Sequence, residues 1–406
     1  MMNQYDVIIS GGGMVGAALA CALSGQGLRI AVLEAARREA REAPGYDERA
    51  IALAWGTRRI FDGLGLWSQL ADAATAIHGI HVSERGRPGM VHMDRESEGL
   101  PAIGYVVPAR VIGQVLDAAV EQADDIEVFC PATLVSTETT ERQVRVEVDP
   151  GNGSKTLTAA LLVAADGADS DLRKQAGIES RVTDYGQTAI VTNITPQLAH
   201  NNIAYERFTT SGPLALLPMS DQRCGVVWTV ASDAADAVMA LDDAAFLEQL
   251  QTCFGQRLGR LQQVGNRQAW PLRLVSAAES VADRLVLVGN AVHTLHPVAG
   301  QGFNLGARDI AVLAEVLVDA HRRGDDPGSQ DILQRYGDWR QRDHHNVMLF
   351  TDGLARMFTL PVPALGLVRS AGMMALDLLP PAKRLLTRLT MGRSGRTPRL
   401  ARGLPL

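Results

Sequence analysis

Three glycine-rich segments, each directly after a short apolar run, have residue types and spacing that suit a dinucleotide site. The first is Gly11–Gly16, with the pattern GxGxxG, after the run Tyr5–Ser10. In this pattern the first glycine permits a tight turn, the second lets the backbone approach a pyrophosphate, and the third lets a helix pack on a strand. The free N–H groups of that helix then face the phosphates. The spacing predicts dinucleotide binding, and glycines needed only for the turn and the packing are the alternative.

Glu34 stands where the same ligand would place its ribose. It ends the next apolar run, Leu28–Leu33, and lies 18 residues after Gly16. The ribose-binding acid of dinucleotide folds follows the glycine turn by about 20 residues. Arg37 and Arg38 come soon after it and either bind a 2′-phosphate or belong to a solvated charge run.

The other two segments also follow apolar runs. Ala164–Ser170 (AADGADS) comes after Leu161–Val163, and Gly289–Gly306 comes after Arg284–Val288. Alone, the Asp-Gly pair of AADGADS is an ordinary turn. In the third segment, glycines at 300, 302 and 306 would let a flat ligand lie against backbone N–H groups. A helix N-terminus there would stabilise negative charge on a reduced heterocycle.

The elements that position these segments alternate along the chain, whose 406 residues allow two to four domains. Nucleotide-type α/β pieces occur at the start, near residue 160 and near residue 290, with strand-rich blocks between them. The pattern predicts helices over Arg49–Leu66, Ala109–Gln122, Asp242–Phe254, 302–321 and much of the chain after Leu333, a hairpin of Ile77–Glu84 with Gly89–Arg95, and strands within Glu127–Val163 and Gln187–Val230. The α/β pieces therefore assemble into one discontinuous domain with a second domain inserted.

Composition excludes several classes of protein. The net charge of −6, from 39 basic and 45 acidic residues, argues against a nucleic-acid binder with a basic footprint. The four cysteines are isolated, so a zinc site or a disulfide scaffold is not expected. No continuously apolar, uncharged window of about 18 residues predicts a transmembrane helix, and no signal peptide is evident. We therefore expect a cytoplasmic protein.

The three segments in this order resemble the flavin-dependent aromatic hydroxylases of the para-hydroxybenzoate hydroxylase type. The similarity covers nearly the whole chain and rests on GGGMVGA, DERAIAL, AADGADS and GNAVHTLHPVAGQGFNLGARD. Within this group the chain most resembles the ubiquinone-biosynthesis hydroxylases. HVSERG, ERFTTSGPLALLPMSDQRC and FGQRLG are most similar to the branch that hydroxylates 2-polyprenyl-6-methoxyphenol.

The resemblance implies an α/β fold. An FAD-binding Rossmann-like domain of the GR2 type would be built from discontinuous segments, with an interleaved antiparallel-sheet substrate domain and a C-terminal helical segment. The implied divisions are 1–76, 106–185 and 274–340 for FAD binding, 77–105 for a hairpin of the substrate sheet, 186–273 for the substrate domain, and 341–406 for the helical segment and its basic tail.

The resemblance also implies which residues hold FAD. Gly11, Gly13 and Gly16, with Met14 and Val15, would hold the pyrophosphate, and Glu34 and Ala35 the adenosine ribose. The residues implied nearer the flavin are Arg49, Arg110, Asp166, Gly167, Gly289, Asn290, Pro297, Gly300, Gln301, Gly302, Phe303 and Asn304. The broader family has Gly-Asp at 289–290, so Asn290 loses a charge and puts the strength of FAD binding in question. The same change in the methoxyphenol branch favours that branch.

The implied reaction uses NADPH or NADH as a transient reductant and O₂ as co-substrate. No second GxGxxG occurs after residue 16, which fits enzymes without a separate NAD(P)H domain. Oxygen would form a flavin C4a-hydroperoxide, which transfers its distal oxygen to the ring of a polyprenylated phenol, giving the 1,4-benzoquinol in ubiquinone synthesis. The same chemistry at another ring position or on another phenol, an FAD-dependent reductase of isoprenoid double bonds, and a non-catalytic FAD-bound scaffold subunit are the alternatives.

Candidate catalytic residues are few, because the cofactor carries the difficult chemistry. His293, His296 and Pro297 flank the flavin motif, and either histidine could assist phenol deprotonation, orient substrate or be structural. We expect His78, His81 and His92 at the surface, His344 and His345 in an exposed helical run, and no metal site. Segments Leu214–Met219 and Val226–Trp228 line the substrate sheet or are ordinary core, and Trp270-Pro271 closes the cleft or only packs.

The C-terminal segment combines an apolar stretch with a basic tail. Leu354–Leu379 is apolar, and seven basic residues and no acidic one follow between Pro381 and Leu406. Such a segment can lie peripherally on the inner face of the cell membrane or dock another ubiquinone-biosynthesis protein. A helical subdomain packed on the core, with a solvated end, is the alternative.

Overall fold

A computed structural model describes residues 3–36, 49–151, 153–359 and 363–406. In these ranges the strands are β1 (Asn3–Ser10), β2 (Ile30–Leu33), β3 (Ala50–Ala54), β4 (Thr75–Ile77), β5 (Gly79–Glu84), β6 (Met90–Asp94), β7 (Gly104–Pro108), β8 (Ile126–Phe129), β9 (Thr133–Thr139), β10 (Val144–Asp149), β11 (Lys155–Ala164), β12 (Ser180–Pro196), β13 (Ile203–Thr209), β14 (Gly212–Pro218), β15 (Cys224–Ala231), β16 (Leu261–Val264), β17 (Gln268–Ala277), β18 (Val281–Ala282), β19 (Leu285–Leu287) and β20 (His293–Thr294).

The same ranges contain α-helices and short 3₁₀ turns. The helices are α1 (Met14–Leu23), α2 (Trp55–Gly63), α3 (Trp67–Leu70), α4 (Ala109–Glu121), α5 (Asp171–Gln175), α6 (Ser232–Met239), α7 (Asp243–Phe254), α8 (Gln301–Arg323), α9 (Gln330–Thr359), α10 (Pro363–Leu378), α11 (Pro380–Thr390) and α12 (Arg399–Arg402). The 3₁₀ turns are Ala71–Ala73, Glu96–Glu98, Gly289–Ala291 and Val298–Gly300.

The first sheet brings the three glycine-rich segments together. Its central strand β1 pairs in parallel with β11 and β2, and β11 pairs in parallel with β19. In this register Ser10 is opposite Ala164, and Ala164 is opposite Leu287. The carboxyl ends of three neighbouring strands therefore meet at one edge, where ligands bind in open parallel sheets. Helices α1 and α8 pack against each other over this sheet and share its largest core.

The second sheet forms the floor beneath that edge. It has nine strands in the order β20-β17-β12-β15-β14-β13-β5-β6, with β16 beside β12. Its pairings are antiparallel except that β13 runs parallel to β5. The predicted fold, an α/β domain of discontinuous segments with an interleaved antiparallel sheet and C-terminal helices, is confirmed. All five predicted domain boundaries fall within elements: 76/77 in β4, 105/106 in β7, 185/186 in β12, 273/274 in β17 and 340/341 in α9.

One predicted helix is wrong in its first part. Ala50–Ala54 is a strand that pairs with β7, and the helix begins only at Trp55. Alanine-rich sequence favours helix locally. A partner strand about 50 residues further on decides the outcome here, because strand formation depends on its pairing context.

Two histidines predicted to be exposed are buried. His81 is 7% exposed on the hairpin, and burial lowers its pKa to about 4. His344 is 6% exposed within α9, whereas its neighbour His345 is exposed as predicted. Side chains alternate between the two faces of β5, and His81 lies on the buried face. In α9, consecutive side chains point in different directions around the helix, so His344 is buried while His345 faces solvent.

Candidate functional site: a motif cavity and an apolar cavity

The geometry of the first glycine turn suits a phosphate. Gly11 has φ of +105°, and a Cβ atom there would overlap the carbonyl group of Ala165. A Cβ atom on Gly16 would overlap the carbonyl oxygen of Gly11, so this glycine allows helix and turn to pack closely. Gly13 differs, because a Cβ atom there would meet no atom within 4 Å. The open side of the turn is thus at Gly13, at the N-terminus of α1, where a pyrophosphate would lie.

Glu34 is fixed beside this turn. The backbone N–H of Gly12 donates to its Oε2 at 2.8 Å, and the N–H of Ala36 donates to its Oε1 at 2.8 Å. Ala35 is exposed next to it. These bonds hold a carboxylate at the end of β2, within the region predicted for the ribose. The alternative that involves Arg37 and Arg38 lies outside the described residues.

The second segment supplies an unpaired acceptor. Asp166 Oδ2 accepts the backbone N–H of Leu172 at 3.3 Å, whereas Oδ1 is buried without a hydrogen-bond partner. Gly167 has φ of +94°, and a Cβ atom there would meet no atom within 4 Å. Because buried polar atoms are normally hydrogen-bonded, an unpaired oxygen beside open space favours a ligand with a hydroxyl group. The predicted FAD fits this arrangement.

Arg173 joins the second and third segments. Its guanidinium donates to the carbonyl oxygen of Ala291 at 2.7 Å and to that of Ala168 at 2.8 Å. The side chain is only 4% exposed, so it connects the two loops from within the core.

A cavity of about 530 Å³, the motif cavity, lies between these segments and the second sheet. The predicted residues that line it are Gly13, Met14, Val15, Arg49, Gly167, Gly289, Asn290, Pro297, Gly300, Gly302 and Phe303. From the sheet, Ala215, Leu217 and Val227 face it, in the segments predicted to line the substrate sheet. Trp228 turns away and stacks edge-on against Phe246 in the core. Neither Trp270, which is 50% exposed, nor Pro271 lines this cavity.

The remaining predicted cofactor residues lie outside this lining. They are Gly11, Gly16, Glu34, Ala35, Arg110, Asp166, Gln301 and Asn304. Arg110 lies in the first turn of α4, where it donates to Gln114 at 2.9 Å. Asn304 is saturated, since it accepts from Ala54 and Thr57 at 2.7 Å and donates to Ala52 and Gly300. Asn304 therefore positions strand β3 against residues 289–300, which we call the flavin loop, and its direct contact with FAD stays a prediction.

A buried charge network supports the third segment from behind. Asp309 is fully buried, and its Oδ2 accepts the backbone N–H of Gly289 at 3.1 Å and His293 Nε2 at 2.8 Å. Its Oδ1 accepts Arg340 Nε at 2.7 Å and His344 Nε2 at 2.6 Å. Although burial opposes it, these cationic and imidazole neighbours hold the pKa of Asp309 well below its usual range. The network thereby fixes the left-handed turn at Gly289.

His293, Asp309 and His344 also lie close enough together to hold a metal ion. The sequence did not predict this cluster, because its members come from the flavin loop and two helices. Arg340 already occupies one carboxylate oxygen of Asp309, and a guanidinium there opposes a cation. The carboxylate of Asp309 is thus fully used in hydrogen bonds to protein groups, although His293 Nδ1 and Arg340 Nη2 have no hydrogen-bond partner.

The two histidines predicted to be catalytic are buried beside the motif cavity rather than on its lining, and a catalytic role for either stays a prediction. His293 is bonded to Asp309 as described, and His296 is fully buried. His296 Nδ1 accepts the N–H of Val298 at 3.2 Å, its Nε2 is 3.3 Å from Gln187 Oε1, and burial lowers its pKa to about 4. Neither histidine lines the motif cavity, whereas Pro297 does. The geometry therefore favours positioning roles for both, because a proton donor or acceptor must reach the substrate.

A second cavity of about 450 Å³, the apolar cavity, continues from the first. Both cavities share the wall residues Ala52, Ile77, Ile80, Glu206 and Ala299. The apolar cavity runs between the second sheet and helices α9, α10 and α11, and its other lining is almost entirely hydrophobic, including Val82, Val91, Met93, Phe208, Leu354, Phe358, Met373 and Leu386. Gln301 and Asn304 border it as well.

Glu206 was missed by the sequence analysis. It lies on β13, and burial raises the pKa of its carboxyl to about 7, an effect limited by a hydrogen bond from the backbone N–H of Ala299. In the sequence, Glu206 is the one charged residue in the alternating series Ala204, Glu206 and Phe208, and the structure buries both of its neighbours in that series. Without knowing which face of the strand is covered, that pattern could not be separated from an ordinary exposed glutamate.

Comparisons with known proteins agree with this geometry. Residues 4–351 match the family model described as the FAD binding domain. The chain is 38% identical over 404 residues to ubiquinone hydroxylase UbiL of Rhodospirillum rubrum, which covers 99% of this chain and 93% of the relative. It is 30% identical over 427 residues to the mitochondrial ubiquinone biosynthesis monooxygenase COQ6 of Mus musculus, covering 93% and 89%. The crystal structure of p-nitrophenol 4-monooxygenase PnpA from Pseudomonas putida shares the fold, with a TM-score of 0.80, 18% identity, and coverage of 98% and 100%.

Proposed function

The chain belongs to the FAD-binding-domain family of flavin-dependent aromatic hydroxylases, and on this premise we propose that it hydroxylates a polyprenylated phenol in ubiquinone biosynthesis. The reaction uses FAD, O₂ and NAD(P)H. The proposed substrate is a 2-polyprenyl-6-methoxyphenol and the product its 1,4-benzoquinol. The ubiquinone hydroxylases among its relatives support the pathway, and the apolar cavity supports the prenyl tail.

The apolar cavity is the observation that carries the proposal. It opens from the motif cavity at Ile80 and Ala299, so a ring held beside the flavin loop would direct a substituent into it. A volume of about 450 Å³ with a hydrophobic lining suits an isoprenoid chain. Burial of such a chain contributes about 25 cal/mol for each Å² of apolar surface removed from water.

The chain's own groups position the reactants. When bound, FAD would activate O₂, from which the transferred oxygen atom comes. The open turns at Gly13 and Gly167 accept the cofactor's phosphate and sugar groups, and the N-terminus of α8 faces the motif cavity at Gly302. The apolar faces of β14 and β15 exclude water from the reacting ring. Asn304 and Asp309 hold the loops that make this surface.

Substitution of Val82 tests the assignment of the tail. Val82 lines only the apolar cavity, so phenylalanine at this position fills part of it. We expect Val82→Phe to raise KM about tenfold for a long-tailed 2-polyprenyl-6-methoxyphenol, which corresponds to ~1.4 kcal/mol. KM for the same phenol without a tail changes little. The measurement is steady-state NAD(P)H oxidation by the FAD-loaded protein, with the product and its ring position identified by mass spectrometry and NMR.

Val135→Phe is the matched control, because Val135 is 53% exposed on β9 of the other sheet. The proposed function fails if wild-type protein loaded with FAD hydroxylates no polyprenylated phenol. Anaerobic reduction of a prenyl double bond would instead identify a reductase, and FAD binding without substrate-stimulated NAD(P)H oxidation would identify a scaffold subunit. Hydroxylation at another ring carbon would assign the protein to a different step of ubiquinone biosynthesis.

The outer surface of α10 and α11 suits an anionic membrane. Among the described residues, the helices include none that is both long and apolar enough to cross a bilayer. Leu367, Leu378 and Leu385 are 69%, 77% and 66% exposed, and Arg384 is exposed beside them. Val368, 66% exposed, also lines the apolar cavity, so a prenylated substrate could pass from lipid into the site. We therefore include peripheral membrane contact in the proposal.

Vesicle sedimentation tests this contact. We expect the wild type to sediment with vesicles of phosphatidylcholine and phosphatidylserine, and Leu378→Glu/Leu385→Glu to lose most of that binding, since exposed leucines insert and basic residues attract anionic lipid. Binding should weaken in high salt. Val135→Glu serves as the surface control. Equal sedimentation of the wild type and the double variant would show that this surface does not bind the membrane. A protein partner would then be the remaining explanation for the exposed leucines.

A further inference from the structure

The structure assigns a role to Glu206 that rests on the proposed function. We propose that the Glu206 carboxylate accepts the proton of the substrate's phenol hydroxyl as the ring is hydroxylated. Glu206 stands in the wall shared by the motif cavity and the apolar cavity, where the aromatic head of a prenylated phenol would meet its tail.

Strand alternation directs Glu206 towards the cavities. On β13, Ala204, Glu206 and Phe208 line the cavities at alternating positions, whereas Tyr205 only borders the motif cavity and packs its ring edge-on against Phe254. The cross-strand neighbours of Glu206 are Ala215 on β14 and Val82 on β5. The carboxyl group thus emerges from an apolar floor, in which one polar group sets the orientation of a ligand.

Glu206 has an unused acceptor. Its Oε1 atom is buried without a hydrogen-bond partner. A buried oxygen without a partner is costly, and a phenol O–H placed there would satisfy it. By contrast, the carboxylate of Glu84, which also lies on the second sheet, is paired with Arg369 at 2.6 Å.

No cation on the described lining is paired with Glu206. The other charged or titratable side chains lining the two cavities are Arg49 and Tyr205, at the motif cavity, and Arg369, at the apolar cavity. Arg369 is engaged by Glu84, and Tyr205 keeps its proton because burial raises its pKa. Glu206 is the single carboxylate on this lining.

The flavin loop also contacts this carboxyl group. Ala299 donates its backbone N–H to Glu206, and it does so from a left-handed conformation with φ of +60°, which is costly for a residue with a Cβ atom. The neighbouring Gly300 is also left-handed, with φ of +59°. The loop that faces the cofactor is therefore connected directly to the group that faces the phenol.

The proposed step balances as follows. A C–O bond forms between the ring carbon and one oxygen atom derived from O₂ while the O–O bond breaks. The ring supplies the electron pair of the new bond, and the second oxygen atom leaves as water, with NAD(P)H as the reductant. The phenol O–H bond breaks, its proton passes to Glu206, and a dienone results. Loss of the proton on the hydroxylated carbon to solvent restores the aromatic ring, while Glu206 returns its proton to the dienone oxygen. Glu206 ends the cycle ionised.

The pH dependence has a definite sign. Glu206 must be ionised to accept a proton, and burial raises its pKa to about 7. Wild-type turnover should therefore fall as pH drops below about 7. Glu206→Gln keeps an acceptor but cannot take the proton, so we expect kcat to fall at least tenfold and the acidic limb to disappear. Glu206→Leu should also abolish the preference for binding the phenol over its O-methyl ether, measured by flavin absorbance changes on titration.

The melting temperature tests whether Glu206 is ionised in the folded protein, independently of any effect on activity. Because the folded pKa is raised, ionisation of Glu206 destabilises the native state above the unfolded pKa, near 4.5. The melting temperature of Glu206→Gln relative to wild type should therefore rise between pH 4.5 and pH 7. Glu248→Gln, at an exposed position on α7, is the matched control and should leave all readouts unchanged.

Two results would overturn the inference while leaving the proposed function intact. One is wild-type turnover with a wild-type pH profile in both Glu206 variants. The other is a loss of FAD affinity in Glu206→Gln that accounts for the whole activity loss, which would assign the residue to the cofactor. Absence of hydroxylation in the wild type, by contrast, is a failure of the proposed function.

Discussion

Gly13→Ala is expected to reduce the affinity of the apoprotein for FAD at least tenfold, or ~1.4 kcal/mol, without loss of stability. Gly13 has φ of −66°, which any residue adopts, and its Cβ atom would meet no atom within 4 Å. The added methyl group therefore strains nothing in the protein. It occupies the space through which a pyrophosphate approaches the backbone N–H groups of α1. Titration of the apoprotein with FAD, followed by flavin fluorescence, measures the effect.

Substitutions of two other helical glycines distinguish loss of the phosphate site from a general effect of an added methyl group. Gly353→Ala adds the same methyl group at an exposed position of α9, also with no atom within 4 Å, and should leave FAD affinity unchanged. Gly16→Ala places its Cβ atom against the Gly11 carbonyl and should lower the melting temperature as well. An unchanged FAD affinity in Gly13→Ala would place the phosphates elsewhere.

Asp309→Ala is expected to destabilise the protein by about 3–5 kcal/mol, the usual cost of removing one partner from a buried charge pair. Asp309 is fully buried and Arg340 is 2% exposed, so the guanidinium would lose one of its two carboxylate partners in the core and keep only Asp343. His293, His344 and the Gly289 N–H would each lose a hydrogen bond at the same time. Urea unfolding followed by circular dichroism gives the free-energy change from the shifted midpoint.

The same substitution should loosen the flavin loop. Gly289 lines the motif cavity, so FAD affinity should fall together with stability. Asp338→Ala, at an exposed position of α9, is the control and should cost less than about 0.5 kcal/mol, as surface changes usually do. A loss below about 1 kcal/mol in Asp309→Ala would show that the network contributes little to the fold.

Membership of the family and the overall fold were both accessible from local sequence. Gly16 is required by its close contact with the Gly11 carbonyl, and Gly11 by its left-handed backbone and its contact with Ala165, just after the neighbouring strand β11. Their spacing is typical of a strand, a turn and a helix in succession. The hairpin of β5 and β6 was accessible for the same reason, because a short turn joins its two alternating segments. The chemistry of the motifs then limited the ligand to a dinucleotide.

The strand Ala50–Ala54 and the position of Glu206 were not accessible in this way. The strand depends on pairing with Gly104–Pro108, and alanine-rich sequence alone favours helix. The role of Glu206 depends on which face of β13 is covered, and the flavin loop that covers it follows about 90 residues later. The hydrogen bond of His293 was not accessible for a similar reason, because its partner Asp309 is recognisable only once α8 packs behind the loop.

The sequence by itself determined the cofactor class, the α/β architecture and the residues of the glycine turns, because these turns are recognisable from residue types and spacing within short stretches of the chain. Only the tertiary structure decided which side chains meet inside the site. It joined the motif cavity to an apolar cavity, buried His344 with Asp309, and left Glu206 Oε1 unpaired between ring and tail. Those outcomes depend on desolvation and on contacts between distant segments, and both arise only when the two sheets and the C-terminal helices close around the same space.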